Sequence, residues 1–546
     1  MTTSTRPSVA YFCMEYGLSP ELPIYSGGLG VLAGDTMKSA GDLKLPVTGI
    51  GLFWDEGYTR QVIGEDGQPE DVFVPTPRED LEPVDVGGVE VTVLGKRVPL
   101  RAFKVKRHLS STLYLLEPAE EQDRWITRWL YGGGDEDRLA QEIILGVGGV
   151  RLLRALGLDV QVYHFNEGHA VFAGLELLRE RLAEGDDVDA ALAAVRPKVV
   201  FTTHTPVAAG NETHDLGMMA KVGADVGIER PVLERLGGSP FSMTVAGLRL
   251  GHRANAVAQL HGETAVRMWH HVSDGAPIIA ITNGVHVPSW QDARIREARD
   301  EGDPKARRER LWKAHQAMKG ELIAAIRERA GVELSAETLM VGFARRATAY
   351  KRADLIFGEP ERLDPLFRDG KLQLVFSGKA HPKDQPGKAL IARLVEASKR
   401  WPSGVVFLEN YDMELGALLT RGCDVWLNNP RRPMEASGTS GMKAAMNGCL
   451  NASILDGWWP EGCEHGVTGW QIGDASGDAL AGNVEEQDEK DRKALYETLV
   501  GEVVPTYYDR RDGWIEMMDH SISMSEHRFS SDRMVEEYFE RLYAPD

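Results

Sequence analysis

The sequence predicts an α/β protein of two Rossmann-like lobes facing a central cleft. Three observations carry that reading. The chain opens with an apolar run (residues 8–13), a glycine turn (Ser26-Gly27-Gly28-Leu29-Gly30), a helix-like run and a second apolar run (47–53), the βαβ grammar of an open parallel sheet. Seven further apolar runs each end abruptly in a polar cluster. A densely charged stretch, 291–310, then separates two such patterns in a chain whose 546 residues exceed one ordinary core.

In order, the first helix carries Val31, Leu32, Met37 and Ala40 and stops near Gly41. Residues 60–120 mix short alternating strands with Pro and Gly and read as β-rich decoration of the first lobe. Residues 138–156 form a helix with Ile143, Ile144, Val147, Val150 and Leu153 on its apolar side. The seven runs are 160–163, 199–201, 278–281, 340–343, 372–376, 405–408 and 424–427. Their polar ends all lie on the carboxyl side, where parallel sheets bind ligands. A boundary after Trp290 gives lobes 1–290 and 291–515, with 516–546 a C-terminal segment packing back across them. Residues 311–326 keep helical spacing up to Gly331, a C-cap. The last helix, 531–543, carries Met534, Val535, Tyr538, Phe539 and Leu542.

The net charge of -20 disfavours nucleic acid and anionic membrane as partners. An anionic substrate remains open wherever cations cluster. Four cysteines without a CxxC pair fit reduced thiols in a cytoplasm. The polar N-terminus lacks the apolar core of a signal peptide, and no apolar run is long enough to span a bilayer. A cytoplasmic protein is expected.

The stretch 433–448 is a small-residue turn running into a helix. Its backbone N–H groups and the positive helix end make an anion site. Ser437, Thr439 and Ser440 can add hydroxyl donors, and Lys443 sits within the first helical turns. An amine beside a captured phosphate suits pyridoxal 5'-phosphate (PLP), whose aldehyde forms a Schiff base with lysine. A second cluster, Arg345-Arg346-Ala347-Thr348-Ala349-Tyr350-Lys351-Arg352, places four cations directly after a strand. In an acidic chain it reads as a phosphate site. His164-Phe165-Asn166-Glu167-Gly168-His169 lacks the spacing of a zinc motif, so no metal is expected. Glu435 is open to two roles, a glycosidase carboxylate or an acceptor for sugar hydroxyls.

These motifs resemble the α-glucan (glycogen, starch and maltodextrin) phosphorylases, in their shorter bacterial branch. The resemblance runs from Tyr11 to about Tyr543. Glu435-Ala436-Ser437-Gly438-Thr439 through Met442-Lys443, with Asn447-Gly448, is similar to the PLP-lysine signature of the family. Arg346 with Tyr350-Lys351-Arg352 is similar to its phosphate-site motif. Residues 26–30, Thr282-Asn283-Gly284 with Trp290, and Leu408-Glu409-Asn410-Tyr411 also match.

The resemblance implies a glycosyltransferase-B type fold and Lys443 as the PLP-bearing residue. It puts Trp290, Tyr411, Arg345, Gly438, Thr439, Ser440 and Gly441 around the cofactor. Arg346, Lys351 and the Gly28 amide, with Gly27 and Leu29 beside it, would hold the substrate phosphate. His204, Asn283, Tyr350, Glu435, Ser437 and Gly438 would line the glucosyl site, with Lys443, Arg346, Lys351 and His204 catalytic. The implied reaction is reversible phosphorolysis of an α-1,4-glucan or maltodextrin by inorganic phosphate. Its product is α-D-glucose 1-phosphate with retained configuration. The rival readings are a nucleotide-sugar-dependent glucan synthase and a non-catalytic glucan-binding protein. Arg345 stands where longer members carry Lys, Thr348-Ala349 replace His-Glu, and Ser440-Gly441 replace Gly-Asn. The regulatory segment of those longer members has no counterpart in this reading, so their allosteric control is not expected. A homo-oligomer is a possible partner state.

Overall fold

A computed structural model describes residues 6–207, 210–475 and 482–544. The chain clusters into two compact units. One comprises Met1–Tyr58, Phe73–Thr282 and Ser531–Asp546, the other Thr59–Val72 and Asn283–Ser530.

The first unit is built on a ten-stranded sheet. Its strands are β1 (Val9–Phe12), β2 (Val47–Leu52), β3 (Leu81–Val84), β4 (Glu90–Val93), β5 (Lys96–Val105), β6 (Thr112–Pro118), β7 (Val162–Asn166), β8 (Val199–Thr202), β9 (Arg253–Ala256) and β10 (Ile278–Ala280). The order is β10-β9-β8-β7-β1-β2-β6-β5-β3, with β4 also on β5. The pairs from β10 through β6 are parallel; β5 with β6, β3 and β4 are antiparallel. Residues 60–120 are thus more than decoration, since β6 completes the parallel core. The helix α1 (Gly28–Asp42) crosses from β1 to β2.

Two elements depart from the sequence reading. β9 reads Arg-Ala-Asn-Ala, with no branched or aromatic residue to signal a strand; pairing to β8 and β10 holds it. The expected helix 138–156 begins at Asp135 and passes through a π-turn at Ile144–Gly148 before continuing as Gly149–Ala155. The final helix, Ser531–Glu537 continuing as a π-turn over Tyr538–Leu542, docks in this unit's core. There the His164 ring is fixed between the Tyr543 hydroxyl at 2.7 Å and Thr202 Oγ1 at 2.6 Å.

The second unit holds a six-stranded, all-parallel sheet: β11 (Leu339–Ala344), β12 (Leu372–Ser377), β13 (Val405–Leu408), β14 (Val425–Asn428), β15 (Leu450–Ile454) and β16 (Gly469–Ile472). Its order is β13-β12-β11-β14-β15-β16. The hairpin Arg60–Ile63 with Pro69–Val72 belongs to this unit. The Gln61 amide bonds the Ala380 backbone in both directions at 2.9 and 3.2 Å, and the Ile63 N–H donates to Glu409 at 2.7 Å. The charged stretch 291–310 is helical rather than a bare connector. It forms Ala293–Arg299 and the start of α2 (Pro304–Ala330), capped by the Asp303 carboxylate and ending at Gly331 with φ 67°. Within it, Ile295 and Ala298 are buried against Leu311 and Met318 of α2. The charges around Ile295 and Ala298 conceal the helix of 293–299.

A fully buried ionic cluster ties α2 to the amino end of β14. Lys319 Nζ donates to Asp424 Oδ2 at 2.6 Å, to the Thr338 carbonyl at 2.7 Å and to the Tyr507 hydroxyl at 3.1 Å. His315 Nε2 meets Asp424 Oδ1 at 2.8 Å. Burial alone would raise the Asp424 carboxyl; Lys319 and His315 outweigh it and hold it below the usual range. Breaking such a pair strands a charge in low dielectric. Lys319→Met should therefore cost about 3–5 kcal/mol in urea unfolding.

Candidate active site

The second unit gathers most of the residues singled out above. Between β14 and β15 the chain forms an irregular loop and then the short helix α3 (Thr439–Ala445). Gly438, which precedes α3, has φ 86° and ψ 58°, a left-handed conformation that a side chain would strain. Gly441 is packed so closely that an added Cβ would lie 2.6 Å from Asn451 Oδ1 and 2.8 Å from Trp458 Nε1. Ser440 Oγ accepts the Trp426 indole N–H at 3.1 Å, so that hydroxyl is engaged with β14. Thr439 opens α3 and is half-buried.

Lys443 is buried, with Nζ 3.4 Å from the centroid of the Trp290 ring. The Asn447 side chain sets that contact. Its amide N–H groups donate to the Trp290 carbonyl at 3.0 Å and the Lys443 carbonyl at 2.8 Å, and its oxygen accepts the Asp292 N–H at 2.8 Å. Gln291 adds a bond to the Met446 carbonyl at 2.8 Å.

Past the end of β11, Arg345 Nη2 donates to Glu435 Oε2 at 2.6 Å, and Lys351 Nζ lies 3.8 Å from the same oxygen. Arg345 Nε and Nη1 and Ser437 Oγ are buried with no hydrogen-bond partner among the described residues. Burial and then Arg345 depress the Lys351 ammonium to about 7, with Glu435 opposing. Burial would raise the Glu435 carboxyl, but Arg345 and Lys351 hold it below its ordinary value. Burial raises the Tyr350 hydroxyl and pushes the Tyr411 hydroxyl up to about 12. Arg346 is exposed, whereas Asn283 is buried. Arg352, part of the same sequence cluster, serves the scaffold: it pairs with Asp488 at 2.7 Å and Asp491 at 2.8 Å and donates to the Asn429 carbonyl at 2.8 Å.

Asp456 escaped the sequence reading. It follows β15, whose Leu-Asn-Ala-Ser-Ile is too polar to stand out as a strand. Its carboxyl accepts the N–H groups of Glu435 and Gly457, each at 2.9 Å, and burial pushes it up to about 8. The Trp458 N–H donates to the Ser437 carbonyl at 2.9 Å, so the loop after β15 braces the loop before α3.

In the first unit, Gly27, Gly28 and Leu29 stand at the amino end of α1, with Gly27 extended as its cap. His204, just past β8, bonds Asn166 Oδ1 through Nε2 at 2.6 Å and donates its backbone N–H to Glu167 at 2.7 Å. Burial lowers its imidazole to about 3, which keeps it neutral. His169 accepts the Met14 N–H at 3.1 Å. Both His164 and His169 therefore serve packing. Among the described residues, Glu142, Glu212 and His214 have the spacing of metal ligands, but Arg138 lies across them, at 2.9 Å from Glu142 and 2.7 Å from Glu212.

Asn447→Ala should remove about 1–3 kcal/mol, read from the urea midpoint, because it strands the Asp292 N–H and loosens Trp290 beneath Lys443.

Residues 251–461 match the carbohydrate phosphorylase family profile. The maltodextrin phosphorylase of Thermococcus litoralis is 40% identical, covering 98% of this chain and 70% of its own. The glycogen phosphorylase of Mycobacterium tuberculosis is 38% identical over 98% of this chain and 71% of its own. That of Aquifex aeolicus is 36% identical over 99% and 86%. With likeness of this extent across both units, the chain belongs to the glycogen and maltodextrin phosphorylases of the carbohydrate phosphorylase family.

Proposed function

We propose that the protein is an α-1,4-glucan phosphorylase of glycosyltransferase-B type that depends on PLP. It would release the non-reducing-end glucosyl unit to inorganic phosphate as α-D-glucose 1-phosphate. The observation that carries the proposal is the buried Lys443 amine over the Trp290 face, in the same unit as the Arg345–Glu435–Lys351 cluster.

The residues fit the cofactor. An aromatic face beneath the Lys443 amine suits a flat pyridine ring. The unpartnered Arg345 Nε and Nη1 are buried donors that an anion would satisfy. Lys443 would anchor the cofactor, with Trp290 and Tyr411 beside it and Gly438, Thr439, Ser440 and Gly441 shaping the loop. When bound, the cofactor supplies a phosphate group able to exchange a proton with the substrate phosphate.

This chain's residues do the remainder. Arg346 and Lys351, with the Gly28 amide, would hold the substrate phosphate, and Gly27 and Leu29 would shape that turn. Two phosphates within about 5 Å repel by several kcal/mol even at an effective dielectric of about 20. The cations offset that repulsion. Glu435, kept ionised, would accept sugar hydroxyls, and His204, kept neutral, would offer them a hydrogen bond. Asn283, Tyr350, Ser437 and Gly438 would complete the glucosyl site. The substrate phosphate gives its proton to the glycosidic oxygen as the C1–O bond breaks. Its oxygen then closes on C1 from the same face, with retention. The sequence position of the site, past carboxyl ends of parallel strands, supports this reading.

Purified protein should show the absorbance of bound PLP and phosphate-dependent release of glucose 1-phosphate from maltodextrin. After borohydride reduction, mass spectrometry should find the pyridoxyl adduct on Lys443. Sugar binding without turnover, or turnover only with a nucleotide sugar, would overturn the proposal. A second expectation follows from Lys351. With its ammonium depressed to about 7, the charge is lost as pH rises through that value, so phosphate KM should climb between about pH 7 and 9. Lys351→Arg, always charged, should flatten that rise; an unchanged slope would exclude Lys351 from the phosphate site.

A further inference from the structure

Glu15 belongs to no stretch that the sequence reading marked, yet it sits at the turn before α1. Its carboxylate accepts the Ser26 N–H at 2.6 Å, the Gly27 N–H at 3.2 Å and the Ser26 hydroxyl at 3.1 Å. The other oxygen accepts the Tyr131 hydroxyl at 2.7 Å. The side chain is buried, only 2% exposed. A Cβ on Gly30 would lie 2.6 Å from Glu15 Oε2, so the glycine at that position makes room for the carboxylate itself.

The arrangement extends one step outward. Tyr131 holds a left-handed φ of 59°, costly for an aromatic residue, and that places its hydroxyl on Glu15. The Arg138 guanidinium lies 5.2 Å from the Tyr131 ring centroid and forks onto Glu212 at 2.7 and 2.9 Å. The carboxylate is thus held from one side by a strained tyrosine and occupies the first two amides of the turn from the other. Gly28 opens α1 just beyond them, where the first N–H groups of a helix lack intrahelical partners.

We propose that Glu15 is a positioning residue for the substrate phosphate: by occupying the Ser26 and Gly27 amides it fixes the turn so that the Gly28 amide faces the anion. This rests on the phosphorylase reading above. It also accounts for a carboxylate in a place that favours anions. Glu15 takes the inner donors and defines where the mobile anion's share begins.

The test is steady-state phosphorolysis with PLP-loaded protein, varying phosphate and maltodextrin separately. Glu15→Ala should raise the phosphate KM at least tenfold and leave the maltodextrin KM within twofold. Glu15→Gln, which keeps an acceptor for the amides, should restore it to within threefold of the parent. A residue that only supports the fold would move both constants and the thermal midpoint together. Should the alanine variant fail to fold, Tyr131→Phe removes only the oxygen that bonds Glu15 and should raise the phosphate KM about threefold. A phosphate KM unchanged in the variants of an active parent, or a Gln variant no better than Ala, would overturn the positioning role. A parent that releases no glucose 1-phosphate would instead overturn the phosphorylase reading.

Discussion

Glu435 between Arg345 and Lys351 is the interaction on which the rest of the second unit's site depends. Two cations brought together out of water repel, and burial penalises each further. The carboxylate offsets that cost while no anion is present. Its backbone is fixed in turn by Asp456 across the sheet end. A bound phosphate would compete with Glu435 for the same guanidinium and ammonium, and Arg345 still holds two buried donors in reserve. Under the proposed function the site would exchange one anion for another instead of assembling charge on demand, which is electrostatic preorganisation.

That arrangement shows how a chain of net charge -20 gathers buried cations in one place. The excess acid is distributed elsewhere, and much of it is spent on the scaffold. Asp424 closes on Lys319 at the opposite end of β14, and Asp488 with Asp491 holds Arg352. Arg352 shows why counting cations overstates a site. It lies beside Lys351 in sequence, but the left-handed turn at φ 48° sends it to different partners.

The strand-to-cluster rhythm was legible because seven strands are apolar enough to stand out and parallel sheets put their chemistry at one end. β9 and β15 were not legible, since their small and polar residues are held by neighbours on both sides and carry no periodic signal of their own. The helices within 291–310 were hidden by the charges between their buried positions. In the site, Lys443 and the Arg345–Lys351 cluster announced themselves through residue type and local spacing. Glu15 and Asp456 did not, because each acts by accepting backbone N–H groups from residues 11 and 21 positions away. Such a role has no residue pattern. It exists only once the backbone has turned.

The two carboxylates share a logic that the site-lining residues lack. Each is buried and accepts main-chain N–H groups, Glu15 those of Ser26 and Gly27 and Asp456 those of Glu435 and Gly457. A loop held through its own main-chain N–H groups cannot drift without breaking those hydrogen bonds. Small residues such as Gly28 and Gly438 can then expose their backbone to an anion without the disorder that glycine otherwise brings. In the proposed site, acids that never need to touch the substrate would remove the conformational entropy of those glycine turns in advance, and binding would be spared that cost.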